Sequence, residues 1–153
     1  MSEHSATVSW SRDGAVFTDG RFARRHRWRF DGGAEIIASP APEVVPPPLS
    51  DPAGVDPEEA FVASLASCHM LFFLMLAAKK SFIVDSYTDE AVGRLGKRAD
   101  GKTWMERANL RPQVSFSGDR RPTAAEIAAL HHRAHDLCYI ANSVTTEVIV
   151  EPR

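Results

Sequence analysis

The order of elements legible in the chain predicts an α+β fold in which an antiparallel sheet packs on helices: strands, one long helix, two strands, a second helix and a closing strand. Three stretches carry that expectation. Residues 56–80 form one long apolar segment with a helix start. Residues 22–30 alternate cleanly between two faces. Residues 123–126, Thr-Ala-Ala-Glu, spell a capping box ahead of a second amphipathic segment. With 153 residues the chain is expected to form a single domain, residues 1–153, with a proper core.

Taken in order, Ser5–Trp10 alternates weakly and reaches a turn at Ser11-Arg12-Asp13-Gly14; Ala15-Val16-Phe17 and a turn at Asp19-Gly20 follow. Together these read as a β-hairpin. In the next strand, Phe22–Phe30, residues Phe22, Arg24, His26, Trp28 and Phe30 share one face. Arg25, Arg27 and Arg29 lie on the other, solvated face, so Arg24 is a cation on the side expected to be buried. Asp31-Gly32-Gly33 turns the chain into a short return strand, Ala34–Ala38. Seven of the ten prolines fall between Pro40 and Pro57, which excludes a helix or a central strand there. That segment reads equally as a rigid crossover and as a loop bordering a site.

Asp56-Pro57-Glu58-Glu59 opens the long helix with a cap, a proline suited to the first turn and two carboxylates that complement the dipole. Phe61, Leu65, Cys68, Phe72 and Met75 recur at helical spacing, and Val62, Ala66, Phe73 and Ala77 make the other side apolar too. Such a helix is expected to be buried on every side. Residues 60–78 are also long enough to span a bilayer, but Ser64, Ser67, Cys68 and His69 interrupt them. A buried core helix, with no membrane partner, is the expectation. Beyond it, Ser81–Arg98 and Trp104–Phe116 read as two long strands joined by an Asp100-Gly101 turn, with Pro112 marking an edge or bulge. The second helix has an inner stripe of Ile127, Leu130, Ala134 and Leu137, with Cys138 at its margin, and Val144–Val150 reads as the last strand.

The net charge of −2 and the short, interrupted basic cluster Arg24–Arg29 argue against nucleic acid as a partner. Met1–Trp10 lacks the layout of a secretory signal, so a cytoplasmic location is expected. Two cysteines, Cys68 and Cys138, are too few for a disulfide scaffold. Each alone reads as a small hydrophobe. Because both lie on or beside core-facing stripes of the two strong helices, they meet if those helices pack, and a close pair in a reducing compartment suggests redox work. A reactive thiolate needs a nearby cation, for which Arg24 is the candidate. A rival constellation is His131, His135 and Cys138, whose spacing suits zinc, with Cys68-His69 able to add a ligand. Against it, His131-His132-Arg133 reads as a polar helix face. Glu58 lies about 15 Å of rise and 80° around the axis from Cys68. The two cannot share a small site on one straight helix, so Glu58 either stabilises its own helix or serves a site completed by a partner chain.

DPEEAFVASLASCHM resembles the N-P-E-x-hydrophobic…A-x-C segment of the osmotically inducible protein C and organic hydroperoxide resistance (OsmC/Ohr) family. AHDLCYIANSVTTEV is similar to that family's second cysteine segment, and FARRHRWRFDGG to the early strand of one subgroup. The resemblance implies antiparallel sheets wrapped around long central helices in an intertwined homodimer, with active sites at the dimer interface. It implies a thiol-dependent peroxidase that reduces organic hydroperoxides to alcohols. Cys68 would be the peroxidatic cysteine, Cys138 the resolving one, and Glu58 would pair with an arginine, Arg24 ahead of Arg12 or Arg21. The expected reductant is an external dithiol of lipoyl type, supplied by a lipoylated protein; no cofactor, metal or flavin is needed. Phe61, Leu65, Met70 and Phe72 are expected to bind the organic part of the substrate. His69 after Cys68, and Tyr139-Ile140-Ala141 after Cys138 in place of a Cys-Pro turn, point to a less-studied OsmC-like subgroup. Two other readings compete: a non-catalytic protein binding an apolar ligand, and the zinc-binding module.

Overall fold

The computed structural model describes residues 2–153, which divide into two compact units between Ala60 and Phe61. In the first unit, strands β1 (Ala6–Ser9), β2 (His26–Phe30) and β3 (Glu35–Ala38) make an antiparallel sheet in that order. Val8 lies opposite Trp28, and Trp28 opposite Ile36. The expected hairpin between Ser5–Trp10 and Ala15–Phe17 does not form, because β1 pairs with β2 and residues 15–17 are not a strand. The apolar side chains of that loop gather instead into an aromatic cluster. Phe17 stacks on Phe22 at 4.7 Å between ring centroids, Trp10 meets Phe22 edge-on at 5.3 Å, and Trp10 Nε1 donates to the Ala23 carbonyl at 2.7 Å.

The strand expected over Phe22–Phe30 begins only at His26, since Arg24 N–H donates to the Leu49 carbonyl in the proline-rich segment. The predicted alternation survives: Phe22, Arg24, His26 and Trp28 are half-buried, while Arg25, Arg27 and Arg29 are exposed. The proline-rich segment is an irregular loop pinned at its base. Ser39 Oγ accepts from Asp51 N–H at 2.8 Å, Ser39 N–H donates to the Val55 carbonyl, and Val55 N–H donates to the Ile37 carbonyl. Gly54 is required there, because a Cβ would lie 2.9 Å from that of Ser39.

Helix α1 (Pro57–Lys79) starts with a reciprocal cap in which Asp56 Oδ1 accepts from Glu59 N–H and Glu59 Oε2 accepts from Asp56 N–H. In the second unit its buried stripe is Leu65, His69, Phe73 and Ala77. Phe73 and Ala77 pack with Phe82, Leu130 and Ala134, and Leu65 packs with Ala108 and Leu110. The helix has the length and apolarity of a membrane span, with a mean hydropathy of 2.0. Its buried stripe, however, packs on strands and on a second helix. It is not covered on every side: Leu71 is 62 % exposed and Met75 37 %.

The two long strands expected after α1 each break in two. Strand β4 (Ile83–Asp89) pairs with β7 (Pro112–Ser117), and β5 (Val92–Lys97) with β6 (Thr103–Leu110), so one long hairpin is shared between two sheets. At the break Arg111 N–H leaves the ladder and donates to Asp89 Oδ1 at 2.6 Å, and Pro112, with no N–H to give, opens β7. Gly93 lets β5 pass close to the helix, since a Cβ there would lie 2.5 Å from Val62 Cγ2. The closing strand is shorter than expected: β8 (Glu147–Val150) follows a 3₁₀ turn at Ala141–Ser143 and runs parallel to β6, so the sheet is not wholly antiparallel.

Helix α2 (Ala124–Leu137) carries the predicted capping box between Thr123 and Glu126. Its buried residues are Leu130, His131 and Ala134. His131 therefore belongs to the core, not to a polar face; His132 and Arg133 alone face solvent, beside Asp136. The reason is a partner that helical periodicity does not reveal. His69 Nε2 and His131 Nδ1 share a hydrogen bond of 3.0 Å, with the rings stacked at 5.3 Å.

Two predictions concern this core. Leu65→Ala should destabilise the protein by about 2–5 kcal/mol in denaturant unfolding, because Leu65 is fully buried. Burial lowers the pKa of His69, with further lowering from His131 and His135, and burial likewise lowers that of His131, in both cases to about 4 from 6.5. Between these values the unfolded chain binds more protons than the folded one, so stability is full above pH 6.5 and falls as pH drops towards 4. Unfolding midpoints measured from pH 4 to 8 should show this loss, and His131→Asn should flatten it. A flat wild-type profile would refute it.

Candidate functional site

Cys68 lies midway along α1, where the chain is apolar all round and the packing alone decides which side is core. Measured from Cys68, the buried stripe from Leu65 to Ala77 occupies an arc of about 60° to 180° around the helix. Cys68 stands at the edge of that arc, half-buried. Ser64, Ser67, Leu71, Phe72 and Met75 occupy the arc from about −100° to +40°. With Tyr139 and Ile140 they line an open cavity of about 460 Å³. Phe72 and Tyr139 meet edge-on at 5.1 Å. Ser64 Oγ donates to the Phe61 carbonyl and Ser67 Oγ to that of Ser64, so both hydroxyls turn back on the helix and leave the cavity wall apolar.

Cys138 ends α2. Its N–H closes on the His135 carbonyl, its backbone then turns extended, and the following 3₁₀ turn brings Ala141 N–H to 3.4 Å from Cys138 Sγ. Asn142 steadies this corner by donating from Nδ2 to the Asp136 carbonyl at 2.9 Å. Cys138 is 1 % exposed, and its thiol lies beside Cys68, close enough to interact with it. Burial first, and then the neighbouring Cys68, push the Cys138 pKa up to about 11. The negative end of a helix does not favour an anion there either. Cys138 is thus a protonated thiol at neutral pH, shielded from solvent and beside Cys68. Both cysteines are free thiols.

The other expected site residues are distributed as follows. Phe72 lines the cavity beside Cys68. Leu65 does not: it fills the core against Ala108 and Leu110, and Phe61 packs on the same cluster. Met70 is about 200° around the helix from Cys68 and is not among the lining residues. Arg24 and Glu58 belong to the first unit. Arg24 donates to the Phe22 and Gly20 carbonyls at 2.8 and 3.0 Å and lies 4.4 Å over the Phe22 ring. It makes no ion pair with Glu58, which sits in the first turn of α1. The set His131, His135 and Cys138 does not assemble, since Cys138 turns to Cys68 and His131 to His69. Among the described residues no three His, Cys, Asp or Glu side chains are grouped to hold a metal ion. The lining residues not expected in the sequence are Ser64, Ser67, Leu71 and Met75 on α1, and Tyr139 and Ile140 just after Cys138. Helical arithmetic from Cys68 would have found the four on α1, which lie four, one, three and seven residues from it.

The two thiols should differ in reactivity. In the folded protein at pH 8, iodoacetamide should alkylate Cys68 at least about tenfold faster than Cys138, read by peptide mass. Equal rates would contradict the geometry.

Comparison with known proteins identifies the family and the fold. Residues 50–153 match the family model described as OsmC-like protein. The structure is similar to that of an OsmC-like protein of unknown function from Vibrio cholerae, with 58 % identity, a TM-score of 0.98 and full coverage of both chains. The organic hydroperoxide resistance protein OhrB of Bacillus subtilis shares the fold at 17 % identity, with a TM-score of 0.67 and coverage of 99 % of this chain and 98 % of its own. An organic hydroperoxide resistance protein OsmC from Legionella pneumophila does so at 14 % identity, with a TM-score of 0.66 and coverage of 99 % and 96 %. No curated protein is significantly similar to the chain. With more than half of its length matched by the family model, the chain belongs to the OsmC-like family.

Proposed function

We propose that the protein is a cysteine-based peroxidase that reduces organic hydroperoxides to alcohols. The observation that carries this reading is a buried, protonated Cys138 thiol beside a half-buried Cys68 at the wall of an apolar cavity. The Cys68 thiolate attacks the terminal oxygen of R–OOH; the O–O bond breaks, Cys68 becomes a sulfenic acid, and the alkoxide leaves as R–OH after protonation. Cys138 then attacks the sulfenic sulfur, giving a Cys68–Cys138 disulfide and water. A dithiol reductant restores both thiols by exchange and is itself oxidised to a disulfide. A lipoyl-type dithiol, carried by a lipoylated protein, suits the exchange.

Leu71, Phe72, Met75 and Tyr139 favour an alkyl or aryl chain over hydrogen peroxide, because transfer of the chain from water into an apolar wall is favourable. A cation to activate the thiolate and the peroxide is still required. Arg24, paired with Glu58, is the proposed source, in a homodimer that completes the site. A second copy covering Leu71, Met75 and Tyr139 would also remove apolar surface that the chain leaves exposed. A cytoplasmic setting, where free thiols persist, fits the cycle.

The test is turnover of cumene hydroperoxide with dihydrolipoamide. Cys68→Ser should abolish it. Cys138→Ser should complete one reduction and then accumulate sulfinic acid at Cys68. Phe72→Ala should raise KM for the organic peroxide several-fold with little effect on hydrogen peroxide. Undiminished turnover in Cys68→Ser would end the proposal, and thiols that survive a large excess of peroxide would favour a non-catalytic binder of apolar ligands.

A further inference from the structure

A second cavity, of about 310 Å³, lies against α2 and is lined by His131, His132 and His135 together with Ala128, Val148 and Val150. It is separate from the cavity at Cys68 and shares no lining residue with it. Two of its histidines carry buried ring nitrogens without any hydrogen-bond partner, His131 Nε2 and His135 Nδ1. Buried polar atoms are nearly always satisfied, and two unsatisfied imidazole nitrogens one helical turn apart beside a cavity call for a common cause. We propose that His131 and His135 form a binding site for a divalent transition-metal ion of the zinc or copper class, whose remaining coordination positions are filled by water or a small ligand in the cavity.

Positions i and i+4 stand on one face of a helix, the spacing at which two imidazoles converge on one ion. The ring of His131 is already held from behind. Its Nδ1 is 3.0 Å from His69 Nε2, and its face lies 4.3 Å from the Phe73 ring centroid. With the Nδ1 proton donated to His69, the Nε2 lone pair is free, which is the arrangement that fixes a metal-bound histidine. Imidazole donors suit zinc and copper better than magnesium or calcium. Val148 and Val150 supply the apolar shell that restricts access to such a site. His132, about 100° around the helix from His131, is directed to Asp136 at 3.8 Å instead.

The cysteines would bind these metals themselves, so the experiment uses the Cys68→Ser, Cys138→Ser double variant of the full chain. Calorimetric titration with ZnCl₂ should show one ion per chain. Adding His135→Ala, which leaves the contact between His69 and His131 intact, should weaken binding at least about tenfold, whereas adding His132→Ala should not change it. Electron paramagnetic resonance of bound Cu²⁺ in the double variant, with both histidines present, should show two imidazole nitrogens, which keeps the test decisive if His135→Ala folds poorly. No binding, binding indifferent to His135→Ala, or a copper spectrum with fewer than two imidazole nitrogens would overturn the site. None of these readouts depends on peroxidase activity.

Discussion

The hydrogen bond between His69 and His131 is the constraint on which the arrangement of the second unit turns. Helix α1 is apolar on all sides, so burial alone does not select a rotation about its axis. A buried imidazole without a partner would cost more than a misplaced alanine or leucine, and His69 finds its partner in one place only, on α2. Once that pair is made, Phe73 and Ala77 face Leu130 and Ala134, and Leu65 faces Ala108 and Leu110. Cys68, about 100° around the helix from His69, is then carried to the edge of the core, where Cys138 meets it. The two contacts are one residue apart on α1 and seven apart on α2, about 10 Å of rise. Further along, His131 stacks on Phe73, and Leu130 and Ala134 pack with Phe73 and Ala77, so α2 runs back along α1 with Cys138 at the Cys68 end.

This explains why two chemically similar cysteines have different environments. Cys138 is placed at a helix end, covered by a 3₁₀ turn and held close to the sulfur of Cys68. It keeps its proton and its position. Cys68 opens onto a wall of Leu71, Phe72 and Met75, with both nearby serines turned away. Division of labour between an attacking and a resolving sulfur needs this asymmetry, since a solvent-exposed resolving thiol would itself be open to oxidation. The histidine pair that sets the geometry also makes it sensitive to acid, because protonating the accepting ring removes the lone pair of the buried hydrogen bond and protonating either ring buries a charge.

Much of this was legible in the sequence where local chemistry decides. The Asp56–Glu59 and Thr123–Glu126 caps, the Gly101 turn and the alternation of Arg25, Arg27 and Arg29 depend on neighbours a few residues away. The resemblance of the two cysteine segments to the OsmC/Ohr family singled out Cys68 and Cys138, which the fold brings side by side. What was not legible depends on long-range partners. The face of α1 that is buried could not be read from a helix with no polar side, which is why Leu65 was expected in the cavity and is found in the core. His131 looked solvent-facing because His69, 62 positions away, was not known to lie opposite. The hairpin at residues 5–17 failed because Trp10 and Phe17 had a better apolar partner in Phe22 than each other's strand could offer.

The central claim is that Cys68 and Cys138 of one chain act as a single redox pair. It is tested most directly by oxidising the protein with one equivalent of cumene hydroperoxide, quenching free thiols with iodoacetamide and mapping the digest by mass spectrometry. The account predicts one intrachain linkage, Cys68 to Cys138, formed at the expense of both thiols and reversed by dihydrolipoamide. Two alkylated cysteines, or a Cys68–Cys68 linkage between chains, would contradict it.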